Sequence, residues 1–285
     1  MEGPAGVARR GGGGAGGAAA RPGLAFSVLA SSSKGNCTYV ECGATRLLVD
    51  AGLSCAGVCD RLAAIGRSLA DVQAVLVTHG HSDHVSALPV VEGKTGVAVY
   101  ATDATASTIE REGRRTKPDL VWNFAVFAAG EPFSVGDLEI EPFPIPHDAA
   151  DPVGFVLRAP SGVRLGFATD LGEAPMVVRH RLAGCEAFVL EFNHDRERLL
   201  RSDRSWTLKQ RILGRSGHLS NDQAAELLAQ VATPALRHVV PAHLSDECNE
   251  PGLALAAARR ALRDAGLDPA AVLREPVYPT PLFEV

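Results

Sequence analysis

From Leu24 onward, short apolar runs alternate with longer amphipathic stretches, and each period predicts its own kind of element. Runs rich in Val and Leu, bounded by Gly, Ser or Asp, predict strands at Leu24–Ala30, Thr38–Glu41, Arg46–Val49 and Ala74–Thr78. Further strands are expected at Val97–Tyr100, Glu139–Pro144, Gly154–Arg158, Val163–Ala168, Ala187–Glu191 and His238–Pro241. Helices are expected at Gly57–Gly66, His84–Lys94, Thr102–Glu112, Asn221–Ala232 and Pro251–Ala265. Ser220 heads the fourth of these with Gln223 three residues on, the spacing of a capping box. No repeat recurs at a fixed period and no linker divides the body, so residues 23–285 read as one α/β domain.

Residues 1–22 break the pattern, being nearly all Gly, Ala, Arg and Pro. Such a segment buries too little side chain to offset its ordering entropy and is expected to be a disordered tail. Arg9 and Arg10 are followed by glycines rather than an apolar run, which argues against an export signal.

Composition narrows the class. With 46% hydrophobic and 21% charged residues in 285, the chain has the balance of a soluble globular protein. Its net charge of −5 excludes a basic nucleic-acid coat, though not a local basic strip. No run of about 18 apolar residues is present, so no transmembrane helix is expected. The six cysteines lack paired CxxC spacing and are expected as free thiols in a reducing cytoplasm.

The chemistry concentrates after one strand, in Val75-Leu76-Val77-Thr78-His79-Gly80-His81-Ser82-Asp83-His84. Two imidazoles two residues apart project from one side of a strand-end turn. Asp83 and His84 then open the next helix and can face a second ion beside the first. Nitrogen and carboxylate ligands suit Zn²⁺, and also Mn²⁺ or Fe²⁺. Three His and one Asp in six residues are hard to read as a chance polar turn. Four groups cannot enclose two ions, and His147, Asp170 and His243 each end a predicted strand, where α/β folds place their sites. Asp170, with two oxygens, is the best candidate to bridge two ions.

With Asp50 closing Leu47-Leu48-Val49-Asp50, these positions make the chain resemble the metallo-β-lactamase superfamily. That resemblance implies a four-layer αβ/βα sandwich with a metal centre at one rim. It places His79, His81, His147 and Asp170 on one ion, and Asp83, His84, Asp170 and His243 on the other, with Asp50 orienting ligands from behind. Ser31-Ser32-Ser33-Lys34-Gly35-Asn36, Thr169-Asp170-Leu171-Gly172, Glu191-Phe192-Asn193-His194-Asp195 and Gly217-His218-Leu219-Ser220-Asn221 are similar to the YycJ/WalJ-like branch. Phe192 stands where that branch has a small residue. The branch implies a cytoplasmic two-metal (Zn²⁺ or Mn²⁺) exonuclease acting 5′ to 3′ on DNA, Asp83 in its catalytic set, with a link to mismatch-repair proteins.

His218 matches the histidine that contacts or protonates at the scissile phosphate in ribonuclease Z, which this region resembles; it also opens a helix, where anions bind. The bland alternative is a helix-entry residue. His194 is a second catalytic candidate or a plain loop residue. Between Arg196 and Arg215 lie seven basic against two acidic side chains, with Trp206 able to stack on a base. Charge runs usually solvate a helix face, but this one ends at His218, so Lys209, Arg211 and Arg215 are expected on the phosphate backbone, with Asn193 beside them. The Ser31–Asn36 turn either cradles a phosphate or merely joins two strands. Competing readings are an RNA-processing nuclease, a cyclic phosphodiesterase, a thioester or lactone hydrolase, and a regulatory protein with a dead site. The interval from Asp170 to His243 is too short for the domain inserted in β-CASP ribonucleases, and no ligand is lost, against a dead site.

Overall fold

The computed structural model describes residues 21–285, the side chain of Thr116 aside. The expected tail therefore lies, except for Arg21 and Pro22, outside the described residues. The first half runs β1 (Leu24–Ala30), β2 (Cys37–Cys42), β3 (Thr45–Val49), α1 (Cys55–Ala64), β4 (Ala74–Leu76), α2 (Ser82–Val85), α3 (Leu88–Thr95), β5 (Ala98–Ala101), α4 (Asp103–Thr116) and β6 (Phe124–Val126). The second runs β7 (Phe133–Val135), β8 (Leu138–Pro144), β9 (Val153–Arg158), β10 (Arg164–Ala168), α5 (Met176–Leu182), β11 (Ala187–Glu191), α6 (Arg196–Arg201), α7 (Trp206–Leu213), α8 (Asn221–Val231), β12 (His238–Ala242), α9 (Pro251–Asp264) and α10 (Pro269–Val272). Last, β13 (Phe283–Glu284) returns to pair with β1.

Two mixed sheets result, ordered β13-β1-β2-β3-β4-β5-β6 and β12-β11-β10-β9-β8-β7. Period-2 alternation decides what lies between and outside them. Leu47 and Val49 face inward, packing with Phe155, Leu165 and Val189 of the other sheet, while Leu48 faces outward onto Val58 and Leu62 of α1. On the other side Ala187 and Val189 point into the central layer, and Phe188 and Leu190 meet Leu228 of α8 and Ala258 of α9. Being buried on both faces, β11 is apolar until its last residue, as central strands between helices and a second sheet are. Helices, sheet, sheet, helices: the four expected layers are present in one domain.

The main expected elements are found, within a few residues at each end. The helix expected at His84–Lys94 is instead two, α2 and α3. Ala87 N–H is bonded to Ala51 O (2.8 Å), which tethers the chain there, and Pro89 in the first turn starts a fresh helix. The three-residue strands β6 and β7, the two-residue β13 and the short α5, α6, α7 and α10 carry too few residues to register as a period.

Candidate metal centre

The parallel strands β3–β4 of one sheet and β10–β11–β12 of the other all end at the same rim. Asp50 and His243 directly follow β3 and β12, Asp170 lies two residues past β10, and each turns there with positive φ (60, 53 and 58°). The left-handed turn costs a non-glycine residue about 1–2 kcal/mol and persists only where surroundings enforce it. The surroundings here are specific: Asp50 N–H is bonded to Leu76 O (2.8 Å), and His243 N–H to the Ser31 hydroxyl (2.8 Å).

His79, His81 and His147 converge, with His81 Nδ1 3.0 Å from His79 Nε2 and 3.3 Å from His147 Nε2. Beside them His84 Nε2 lies 3.3 Å from Asp170 Oδ2 and 3.5 Å from Asp83 Oδ2. His243 Nε2 lies 3.3 Å from Asp170 Oδ1 and 3.7 Å from Asp83 Oδ2. Ligands bound tetrahedrally at about 2.1 Å stand about 3.4 Å apart, so these separations match the edges of a coordination shell. The buried Asp170 Oδ2 and His243 Nε2 make no hydrogen bond to the described residues, and a cation would satisfy both. The donor set and its geometry fit divalent metal, and all seven expected ligands are in it.

His79, His84, His147 and His243 are each turned by a partner on the other nitrogen. Asp50, buried, accepts from His84 Nδ1 (2.8 Å) and from Thr78 N–H (2.9 Å) and the Thr78 hydroxyl. With its proton on Asp50, the Thr78 oxygen accepts from His79 Nδ1 (3.0 Å). His147 Nδ1 donates to Gly217 O (3.2 Å). Burial alone would lower the His243 imidazole, but Asp170, Asp83 and Glu191 outweigh it and push it up to about 10. His84 is raised in the same way by Asp170 and Asp50, whereas burial drives His79 and His147 down. Asp170 and Asp83 are held well below the carboxylate range against the effect of burial, chiefly by His243 and His84.

Glu191 was not among the expected site residues, yet it organises the far side. Its Oε1 accepts from His218 Nδ1 (2.9 Å) and His243 Nδ1 (3.1 Å), and Oε2 from the N–H groups of Leu171 (3.0 Å) and Leu219 (3.1 Å). Burial would raise this carboxyl, but the two imidazoles hold it down to about 2. His218 thereby presents Nε2 outward, its ring 5.2 Å from those of His147 and His243. Asn193 donates to His243 O (2.9 Å) and, with His218 and Arg211, lines the adjoining pocket.

Three expectations are corrected. His194 does not reach the cleft; it is fully buried, and neither ring nitrogen has a hydrogen-bond partner among the described residues. Lys209 is buried too, its ammonium donating to Leu200 O (2.8 Å) and Ser202 O (2.7 Å) to hold α6 against α7 rather than facing solvent. Arg215 pairs with Glu173 (3.1 Å) in a separate pocket across the Gly217 turn. The basic strip is largely neutralised: Arg198 pairs with Glu250, Arg201 with Glu197, Arg204 with Glu247 and Arg211 with Asp148. Trp206, though exposed, precedes Leu208 by two positions, about 200° around α7 from the face that lines the site.

Residues 45–244 match the family described as the beta-lactamase superfamily domain, and the chain belongs to it. With fold and ligand set both in place, it is a metal-dependent hydrolase of the metallo-β-lactamase fold. Over 244 residues it is 36% identical to exodeoxyribonuclease YycJ of Bacillus anthracis, covering 86% of this chain and 91% of that protein. Exodeoxyribonuclease WalJ of Streptococcus pneumoniae is 37% identical over 233 residues, 80% of this chain and 84% of its own. The fold also superposes on the metallo-beta-lactamase fold protein YhfI from Bacillus subtilis with a TM-score of 0.67 at 13% identity, covering 93% of this chain and 100% of that one.

Proposed function

We propose that this chain is a two-metal phosphodiesterase that removes nucleotides from DNA ends, an exodeoxyribonuclease working 5′ to 3′. The observation that carries it is the pairing of a complete ligand cluster with His218, aimed by Glu191 at the rim of the same cleft. The identity to YycJ and WalJ across the body of the chain supports DNA as substrate. Two Zn²⁺ or Mn²⁺ ions would bring the pKa of a bound water from 15.7 to about 7 and offset the charge gathering on the phosphate.

The remaining work falls to side chains. Asp50 and Thr78 keep His84 and His79 in the tautomers that direct Nε2 into the cluster. Glu191 accepts the Nδ1 proton of His218, so Nε2 is the atom that hands a proton to the departing sugar oxygen. The same resemblance supports a place in DNA mismatch repair. Six free thiols, five of them buried, support a cytoplasmic setting.

The test is purified protein, loaded with Mn²⁺ or Zn²⁺, on 5′- and 3′-labelled duplex DNA with matched RNA and an Asp83→Ala control. Mononucleotides released from one end of DNA, and not by the variant, are expected. Metal-loaded protein that cuts neither polymer would sink the proposal.

A further inference from the structure

We propose that the Ser31–Asn36 turn is a clamp for one half of the ligand cluster. Asn36 and Ser31 are its positioning residues, and they set how tightly the second ion, the one expected on Asp83, His84, Asp170 and His243, is held. This rests on the two-metal reading and deepens it. The turn has little left with which to cradle a phosphate. Lys34 N–H donates to the Ser32 hydroxyl (3.1 Å), Gly35 N–H to Ser32 O (3.1 Å) and Asn36 N–H to Asp83 O (2.8 Å). The one cation in the turn, Lys34, is paired with Asp246 (2.6 Å). Nor does the turn merely join two strands. A plain connection would leave its polar side chains to solvent, but Ser31 and Asn36 are both buried.

Their contacts reach one side of the cluster. Asn36 Oδ1 accepts from the Ser31 hydroxyl (3.1 Å), and that same hydroxyl oxygen accepts from His243 N–H (2.8 Å). The Asn36 side-chain nitrogen carries two protons to donate. It donates to Ser32 O (3.0 Å) and lies 3.0 Å from His84 Nε2 and 3.4 Å from Asp83 Oδ2. With His84 Nε2 given over to an ion, the Asp83 carboxylate is the side-chain acceptor that remains. A ligating carboxylate that also accepts a hydrogen bond is fixed in direction before the ion arrives. His243 is served in the same way, because the Ser31 bond holds its left-handed backbone. Among the described residues, no part of the turn hydrogen-bonds to His79, His81 or His147. His79 is turned by Thr78 instead, and His147 by Gly217 O. The turn cannot slide, since Asn36 O accepts from Gly52 N–H (2.8 Å) and a Cβ on Gly35 would lie 3.0 Å from Gly52 O. The second ion's ligands are therefore clamped by the turn, and the three histidines of the first are not.

The test counts ions rather than turnover. Metal-free protein is titrated with Zn²⁺ against a competing chelator, and native mass spectrometry follows the occupancy. The parent is expected to fill two sites. Asn36→Leu, which keeps the branched shape without the amide, and Ser31→Ala are each expected to bind the second ion about 10–100-fold more weakly. The first ion should stay within about threefold of the parent in both, since its histidines keep their own partners. Ser31→Thr, which keeps the hydroxyl, is expected to restore the second site. Ser31→Ala removes a single oxygen, so it reads the clamp even if Asn36→Leu fails to fold. Two parent-like affinities, or both sites weakened alike, would overturn the clamp. So would a raised KM for DNA with both ions still held as in the parent, which would make the turn a phosphate contact. A parent that holds fewer than two ions would overturn the clamp together with the two-metal reading. The expected metal pattern on a protein that cuts no DNA would sink the exonuclease reading alone.

Discussion

Thr78 carries no charge and touches no substrate, yet its hydroxyl couples two metal-facing imidazoles to one carboxylate. Thr78→Val keeps the shape and deletes the relay. Metal affinity, read by chelator competition, is expected to fall about 10–100-fold with the fold intact, and Thr78→Ser to restore it. If Thr78→Val bound metal like the parent, the hydroxyl would have no orienting role. Protons matter here as well, because His84 and His243 are held protonated by their carboxylates and an ion must displace both. Metal affinity should therefore rise with pH, by up to about two decades per unit, in chelator titrations at pH 6, 7 and 8. His194 runs the other way. Burial lowers it to about 4, so acidification from its unfolded value of about 6.5 protonates the unfolded chain first and stability is lost as pH falls. Metal-free protein should lose about 2 kcal/mol from this group between pH 7 and 5 by urea melts, and His194→Gln should lose less. The clustered ligands were legible because His79, His81, Asp83 and His84 share one turn. Glu191 was not, since a glutamate closing an apolar strand also reads as a solvated end. Its available signals were its place at the head of the Glu191-Phe192-Asn193-His194-Asp195 segment and its likeness to Asp170, a carboxylate just past the neighbouring parallel strand.

Between elements, the site depends on two backbone approaches too close for any side chain. A Cβ on Gly52 would lie 1.6 Å from Asp83 O, and one on Gly172 2.4 Å from Arg215 O and Gly217 N. Gly172→Ala would push the turn that carries Gly217, the acceptor for His147, and His218 beside it. We expect turnover to fall at least about tenfold with a stability loss of about 1–3 kcal/mol, measured by rate assay and melt on the same sample. An unchanged rate would mean that the turn need not be held there. The α6–α7 segment shows how far charge pattern alone can be read. Its basic side chains are as counted, but their partners Glu173, Glu247, Glu250 and Asp148 come from distant elements, and the Lys209 acceptors are helix-end carbonyls made by the tertiary turn. Strands such as β1 and β11 were readable because both faces are buried and, Ser27 and Glu191 aside, every residue is apolar.

Across the whole molecule, the cluster is assembled from both halves. Asp50, His79, His81, Asp83 and His84 follow strands of one sheet, and His147, Asp170 and His243 follow strands of the other, with Glu191 closing β11. Metal held there would tie the two halves together, and only in the folded state. At an ion concentration about 1,000 times Kd this linkage is worth about 4 kcal/mol, roughly 10 °C in Tm for a domain of this size. Differential scanning calorimetry before and after EDTA is the check, and an unmoved Tm would mean the ions do not span the halves as drawn. The hydrogen bond from His243 N–H to Ser31 has a further consequence for the protein while it is being made. Residue 31 leaves the ribosome early and waits for residue 243, so the last ligand is aligned only after both sheets have been synthesised and docked. A ribosome-bound fragment lacking β12 also lacks His243, so it carries the other six ligands without completing the cluster.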